Sequence, residues 1–310
     1  MLISKVKKLI QEKKYKELTK KIIDYISYIF KEIWFCFSLK EMHPDLKKTK
    51  KHWIFYTCFK SKYRSYLKNY KTYHNEKHEY SDYVWWCWFQ GEENAPEIVK
   101  KCLASVRKHF AGKKIVIITE QNMFDYVTFP DFIIQKYKKG IISRTHLSDL
   151  LRLELLINYG GTWIDSTCFC SNTPDYIFNK PLFVFKAKEK HEPGVCCQSW
   201  FMSSEKNEPI LTLTRDLFYN YWQKNNKLIH YFLIYFFMTL ASEKYEKEWK
   251  DVPWYPDLNC FILEREIFDK YSDERFREIK KWSDIHKLSY KFNVPENISN
   301  TFYEKIMEGK

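Results

Sequence analysis

The spacing of apolar and polar residues changes at about residue 80. Before that point, apolar residues recur every three or four positions between lysines over residues 6–33, which predicts an amphipathic helix. Residues 45–80 hold few aliphatic residues and many tyrosines and histidines, and we interpret them as a connecting arm. We therefore expect a basic helical extension over residues 1–80 and a separate folded domain over residues 81–310.

In the second part, compact apolar runs alternate with helical patterns. The predicted strands and helices are as follows: strands at 83–89, 114–119, 132–135, 162–164, 182–185, 195–202 and 288–292, and helices at 94–110, 121–126, 145–159, 208–223, 228–247 and 264–282. Strands that alternate with helices indicate an α/β fold with a Rossmann-type sheet flanked by helices. The glycine pair Gly160-Gly161 is expected to end the helix at 145–159.

The charge is concentrated in the N-terminal extension. The 310 residues carry a net charge of +13, and residues 1–80 hold 20 Lys and Arg against 8 Asp and Glu. The remaining body is almost neutral, which argues against a nucleic-acid-binding protein. Two interpretations of the extension stay open. It either packs on the body or lies on an anionic membrane surface, where lysines are attracted to acidic lipid.

The nine cysteines and the hydropathy indicate the compartment. An odd cysteine number without regular spacing, and no signal peptide pattern in the first ten residues, predict a reducing, cytoplasmic environment. No apolar run reaches the length of a spanning helix, so an integral membrane protein is not expected. Cys168, Cys170, Cys196 and Cys197 could suggest zinc, but adjacent residues of a strand face opposite ways. We interpret them as buried apolar residues.

The candidate chemistry lies in residues 146–168. The predicted helix is apolar almost all round, as in a buried helix, but Asp149 and Arg152 interrupt it on one face. They form either a structural ion pair or a pocket that hydrogen-bonds a polyhydroxylated ligand. Asp165 ends the next strand, and ligands of open α/β sheets bind beyond the carboxyl ends of strands.

These residues resemble a known family. Asp149-x-x-Arg152 followed by Tyr159-Gly160-Gly161-Thr162-Trp163-Ile164-Asp165 is similar to the sugar-binding region of glycosyltransferase family 32, and closest to its bacterial capsular polysaccharide synthesis branch. Upstream, Trp88-Phe89-Gln90-Gly91 resembles the end of that family's first strand. The resemblance is specific over residues 145–170, plausible over 82–220 and absent from 1–80.

The resemblance implies a GT-A fold with a mixed sheet, a nucleotide-sugar donor and retaining transfer. Trp88 matches the position that packs on the donor base, with Phe89, Gln90 and Gly161 as further donor-binding residues. Asp149 and Arg152 match the pair that holds the sugar hydroxyls. Asp165 matches the first aspartate of the DXD motif, which contacts ribose, sugar or metal. Asp165, Asp149 and Arg152 are then the candidate catalytic residues.

One position departs from the family pattern. Thr167 stands where the second DXD aspartate is expected, and a hydroxyl is a poorer ligand for Mg²⁺ or Mn²⁺ than a carboxylate. We expect a divalent cation held by Asp165 and Thr167, with diphosphate oxygens and water. The alternative is that a lysine or arginine neutralises the leaving diphosphate.

The resemblance thus implies a hexosyltransferase that retains anomeric configuration and works on a saccharide or lipid-linked acceptor in cell-surface polysaccharide synthesis. No second pocket carboxylate is evident as nucleophile, so a front-face displacement is expected. His230 is interpreted as a core histidine, and the aromatic stretch 220–232 either lines the acceptor side or belongs to the core. The predicted location is the cytoplasmic face of the membrane. The alternatives are another nucleotide-dependent transferase, moving sugar phosphate or phosphoryl groups, and a basic-arm nucleic-acid binder; a P-loop signature is missing.

Overall fold

The computed structural model describes residues 44–75, 78–187 and 194–309, together with residue 19. The helix predicted over residues 6–33 lies, apart from residue 19, outside these residues. The chain divides into two compact units, Met1–Phe55 and Tyr56–Lys310. The helix Pro44–Asn69 has residues in both units, and every strand and helix after it lies in the second unit.

The second unit is built on a five-stranded mixed sheet with the strand order β2-β1-β3-β6-β5. Its strands are β1 (Tyr83–Cys87), β2 (Lys114–Ile118), β3 (Gly161–Asp165), β5 (Leu182–Lys186) and β6 (Cys197–Ser204). β1 pairs in parallel with β2 and β3, whereas β6 runs antiparallel to β3 and β5. The α/β architecture with helices around a mixed sheet is therefore confirmed.

A second, two-stranded sheet joins the carboxyl end of β3 to the C-terminal region. β4 (Cys168–Cys170) follows β3 after a two-residue turn, and β7 (Ile285–Lys287) runs antiparallel beside it. In this ladder Cys168 lies opposite Lys287. The strand predicted at 288–292 is thus wrong, because the pairing residues come just before it.

Helices surround the sheet, and among the described helices all but the first lie wholly in the second unit. They are α1 (Pro44–Asn69), α2 (Glu97–His109), α3 (Met123–Tyr126), α4 (Asp131–Lys138), α5 (Arg144–Tyr159), α6 (Pro209–Lys224), α7 (Leu233–Lys244), α8 (Glu246–Asp251), α9 (Ile262–Arg265), α10 (Asp273–Trp282) and α11 (Phe302–Glu308). Within the described ranges, no helix is both long enough and apolar enough to cross a membrane.

The C-terminal part of α1 packs on the body instead of forming a connecting arm. Phe59 and Tyr63 are both buried, and their rings lie 5.3 Å from the ring of Phe237 in α7. Phe59 also contacts Phe236 at 5.6 Å between ring centroids. Burial of such aromatic side chains stabilises the unit by roughly 1.5–3 kcal/mol each, so residues 56–69 belong to its core.

Three further predicted elements differ from the structure. The strand expected at 132–135 is the helix α4, which begins after Pro130 and buries only Ile133. A short apolar run fits both periodicities, and proline suits the first turn of a helix. The helix expected at 228–247 begins only at Leu233, and the helix expected at 264–282 is divided into α9 and α10.

Candidate active site

The Gly160-Gly161 pair turns the chain from α5 into β3. Gly160 ends α5 with φ 67° and donates its N–H to Leu156 O. Gly161 has φ 95°, and a Cβ there would stand 2.3 Å from Tyr83 O in the neighbouring strand. Only glycine permits this close approach of two backbones, because any side chain would displace β3 from β1.

This reversal brings the middle of α5 to the carboxyl end of β3. The helix rises about 10 Å from Arg152 to its end, at about 1.5 Å per residue, and β3 runs back about 13 Å from Gly161 to Asp165, at about 3.3 Å per residue. The helix segment and the strand run in opposite directions over similar lengths, so Asp165 ends level with Arg152. Arg152 therefore meets Asp165, and the sequence motif becomes a spatial cluster.

Asp149, Arg152 and Asp165 form one buried ion cluster. Arg152 Nη2 lies 3.2 Å from Asp149 Oδ1, and Arg152 Nη1 lies 3.4 Å from Asp165 Oδ1. The side chains of Asp149 and Arg152 are 8% and 6% exposed, whereas Asp165 is 25% exposed. The three predicted catalytic residues are thus brought together, and Asp165 is the one that reaches solvent.

Arg152 is fixed from several sides. Its Nη1 donates to Ser199 O at 2.6 Å, and its Nε donates to Ser148 O at 3.2 Å. The guanidinium also lies over the Trp163 ring, 4.9 Å from its centroid. A planar guanidinium held in this way has a defined orientation, so its remaining N–H groups face the carboxylates of Asp149 and Asp165.

Lys287 completes the cluster from the distant strand β7. Its Nζ donates to Asp165 Oδ2 at 2.9 Å and to Thr167 Oγ1 at 2.7 Å. The sequence analysis did not identify this residue, because no local pattern marks a lysine that pairs with a carboxylate far away in the chain. Of the charged groups here, the two cations Arg152 and Lys287 balance the two carboxylates.

The electrostatic environment shifts the pKa values of Asp149 and Asp165 in opposite directions. Burial raises the pKa of Asp149 to about 7, against the opposing effect of Arg152. Burial acts on Asp165 as well, but the charges of Lys287 and Arg152 outweigh it and hold its pKa below the usual value. Asp165 is therefore a permanent anion near neutral pH, whereas Asp149 can exchange a proton in that range.

Two further side chains border the cluster. Tyr235 in α7 is hydrogen-bonded to Ser199, and burial raises its pKa to about 12, so it remains a neutral phenol. Cys87, the last residue of β1, lies opposite Asp165 in the β1–β3 register. Burial raises the pKa of its thiol to about 12, which leaves it unreactive at neutral pH.

The predicted donor-binding residues divide into two groups. Trp88, Phe89 and Gln90 directly follow β1, at the same edge of the sheet as Asp165. Trp88 packs edge-on against Tyr290 at 5.4 Å, and its buried Nε1 has no hydrogen-bond partner among the described residues. Gly161 lies at the opposite end of β3 beside Tyr83, so the structure does not bring it to this edge.

The aromatic stretch 220–232 also divides into two parts. Tyr221 and Trp222 are buried in the core, whereas Tyr231 is 63% exposed. The His146 ring packs edge-on against the Tyr231 ring at 5.8 Å between centroids, one helical turn from Asp149. His230 lies in the loop before α7, not in a helix, and its ring contacts Phe236 at 4.9 Å.

The donor set does not fit a divalent cation. Asp165 Oδ2 and Thr167 Oγ1, the two oxygens expected to hold it, both accept hydrogen bonds from Lys287 Nζ. The other Asp165 oxygen accepts from Trp163 Nε1 at 2.9 Å. In the part of the chain that the structure describes, no group of three or more His, Cys, Asp or Glu side chains is placed to hold a metal ion.

Comparison with known proteins identifies the family. Among solved structures, the one named PaToxG Glycosyltransferase aligns over 84% of this chain and 96% of its own, with 15% identity and a TM-score of 0.36. No curated protein sequence matches the chain. The family described as capsular polysaccharide synthesis protein matches residues 35–306, a range that includes every residue of the cluster. Because this match extends over most of its length, the chain belongs to the capsular polysaccharide synthesis protein family.

Proposed function

We propose that the protein is a retaining glycosyltransferase of the hexosyltransferase class. It would move a sugar from a nucleotide-sugar donor to a saccharide or lipid-linked acceptor in the synthesis of a cell-surface polysaccharide. The observation that carries the proposal is the buried cluster of Asp149, Arg152 and Asp165 at the carboxyl ends of the parallel strands β1 and β3, in a chain of the capsular polysaccharide synthesis family.

The chemistry of Asp149 suits a donor sugar. Among the described residues its side chain makes one polar contact, to Arg152 through Oδ1. The second carboxylate oxygen can accept a hydrogen bond from a sugar hydroxyl, and such a charge-assisted bond contributes about 1.5–3 kcal/mol. Arg152 holds the carboxylate in place while it is itself fixed by Ser199.

The surroundings of Asp165 suit the nucleoside diphosphate. The partly exposed side chains of Asp165 and Lys287 meet the solvent next to the end of β1. Trp88 and Phe89 lie at the same edge and provide aromatic surface for a base. The proposed donor thus extends from the base near Trp88, across the diphosphate at Asp165, to the sugar at Asp149.

The charge pairing favours a front-face displacement. Asp149 and Asp165 are both held by cations, which makes either carboxylate a poor nucleophile. In a front-face reaction the diphosphate leaves and positive charge develops at the anomeric carbon. The acceptor hydroxyl enters from the same side, and its proton passes to an oxygen of the departing diphosphate. The protein then contributes position and charge stabilisation rather than a covalent intermediate.

The proposed location is the cytoplasmic face of the membrane. Residues 1–80 carry 20 Lys and Arg against 8 Asp and Glu, a density that attracts acidic lipid. An enzyme held at the bilayer meets a lipid-carried acceptor at a higher effective concentration. Exposed Tyr231, near Asp149, offers an aromatic face for the acceptor saccharide.

The test is hydrolysis or transfer with a panel of nucleotide-sugars, with the products separated. The proposal expects release of a nucleoside diphosphate and a sugar of unchanged anomeric configuration from at least one donor. Release of a sugar phosphate and a nucleoside monophosphate would indicate sugar-phosphate transfer instead. Inversion of configuration would contradict the retaining mechanism alone.

A further inference from the structure

Two oxygens of the Asp165-Ser166-Thr167 segment converge on one point, and an ammonium group occupies it. Lys287 Nζ stands 2.9 Å from Asp165 Oδ2 and 2.7 Å from Thr167 Oγ1. In the sequence these two residues are the first and third positions of a DXD-like motif, the positions expected to hold a divalent cation. The structure provides a cation there that is part of the chain.

The backbone holds this lysine rigidly against the segment that it neutralises. Lys287 ends β7, whose ladder with β4 sets it opposite Cys168, the residue after Thr167. The next residue, Leu288, donates its N–H to Thr167 O at 2.9 Å. Backbone pairing on both sides therefore fixes the distance between β7 and the motif, and the two hydrogen bonds to Asp165 and Thr167 hold the ammonium at this point.

The ammonium has capacity for one more hydrogen bond. A lysine carries three N–H donors, and among the described residues Lys287 uses two of them, for Asp165 and Thr167. Its side chain is 19% exposed, beside the 25% exposed Asp165. A ligand oxygen that approaches this edge of the sheet can accept the third N–H.

A divalent ion would compete poorly at this point. It would have to displace Lys287 from both oxygens and then lie next to two cations, since Arg152 Nη1 is 3.4 Å from the other Asp165 oxygen. The hydroxyl of Thr167 is a weak ligand in place of a carboxylate, and Mg²⁺ requires near-ideal octahedral oxygen geometry. Charge and ligand chemistry therefore both favour the lysine.

We infer that Lys287 replaces the divalent cation of the donor site and neutralises the diphosphate of the donor directly. This inference rests on the proposed function and adds one specific property to it, namely metal-independent binding of the nucleoside diphosphate. Lys287 then binds a phosphate oxygen with its third N–H and stabilises the negative charge of the diphosphate as it leaves.

The test is calorimetric binding of a panel of nucleoside diphosphates, UDP, GDP, ADP, CDP and dTDP, to the full-length protein, in EDTA and again in Mn²⁺. The inference expects at least one of them to bind, with affinities in the two conditions within about twofold. Binding that appears only with Mn²⁺ would overturn the inference while leaving the proposed function intact. Failure of every nucleotide of the panel to bind in either condition would contradict the proposed function, and the inference with it.

Lys287→Met in EDTA gives the second measurement. Its affinity for the bound nucleotide should fall at least about tenfold, the effect of one charge-assisted hydrogen bond. Lys305→Met is the matched control, because Lys305 has a similar exposed fraction, 23% against 19%, and pairs with Glu308 at 3.1 Å. The control should stay within about twofold of wild type. Unchanged binding in a folded Lys287→Met variant would overturn the inference even if binding is independent of metal.

Discussion

Lys287 Nζ donates a hydrogen bond to Asp165 Oδ2 at 2.9 Å although 122 residues separate the two along the chain. The antiparallel pairing of β7 with β4 creates this contact, directly after β3 delivers Asp165 to the edge of the sheet. A distant strand thus places an ammonium group between Asp165 and Thr167. The charge of Asp165 is balanced from both sides, by Lys287 and by Arg152.

The first prediction concerns Asp149 as a ligand of the donor sugar. Asp149→Asn should lower the transfer rate by tens-fold or more, because an amide cannot replace the charge-assisted hydrogen bond of a carboxylate. The fold should persist, since Arg152 keeps Asp165 and Ser199 O as partners. Initial rates over a range of donor concentrations, which give kcat and kcat/KM for the donor, and a melting curve test this. Glu266→Gln, which removes a carboxylate paired with Arg275 at 2.6 Å, is the control. A folded Asp149→Asn variant with wild-type turnover would argue that the pair is structural.

The second prediction concerns the pH dependence of stability. Burial raises the pKa of Asp149 to about 7, from an ordinary value of 3.8 in the unfolded chain. Between these values the folded state binds more protons than the unfolded state, so the contribution of Asp149 to stability falls as pH rises toward 7. Asp149→Asn removes this slope. Denaturant unfolding at pH 5 and pH 8 measures the free energy of unfolding of both proteins. Relative to wild type, the variant should be more stable at pH 8 than at pH 5. A constant difference between the two proteins would refute the assignment.

The third prediction compares two glycines with positive φ. Gly161→Ala would place a Cβ 2.3 Å from Tyr83 O, whereas Gly140 has φ 69° and no atom within 4 Å of its ideal Cβ position. Gly140→Ala should cost about 1–2 kcal/mol, the penalty of a left-handed backbone. Gly161→Ala should cost about 1–3 kcal/mol more, because β1 and β3 must separate. Chemical denaturation measures both, and equal losses would mean that the close approach is unimportant.

The fourth prediction concerns the basic extension. The protein should sediment with vesicles that contain acidic lipid at low salt, because residues 1–80 hold a surplus of basic residues. It should be released at 1 M salt, where the Debye length falls to about 3 Å from about 10 Å at 0.1 M. Sedimentation with neutral vesicles to the same extent would show that the attraction is not electrostatic.

A truncated chain is the control for the fourth prediction. It should begin at Tyr56 and not at residue 81, because Phe59 and Tyr63 pack on Phe237 within the same unit. This chain should stay folded and no longer sediment. A chain that begins at residue 81 would expose the α7 aromatic residues and should precipitate.

The site could be predicted from the sequence where its elements follow one another directly along the chain. The apolar α5, the glycine pair and β3 are local, and their lengths alone bring Arg152 to Asp165. The short run at 132–135 was ambiguous because its three apolar residues, Phe132, Ile133 and Ile134, fit a strand or a helix, and in the structure they lie in α4, which buries Ile133.

The site residues that the sequence analysis did not identify lie far from the motif along the chain. Lys287 has no distinguishing neighbours in the sequence, and the predicted strand at 288–292 begins one residue after it. Only the pairing of β7 with β4 reveals that its ammonium faces Asp165 and Thr167. Ser199 and Tyr235, which border Arg152, come likewise from β6 and α7 and carry no local signal.

The most direct test of the account is a crystal structure of the protein with a bound nucleoside diphosphate, the one of the panel that binds most tightly, grown in EDTA. The account predicts a diphosphate oxygen within hydrogen-bond distance of Lys287 Nζ, the base near Trp88, and space for the sugar beside Asp149. A diphosphate bound away from the cluster of Asp149, Arg152 and Asp165 would contradict it.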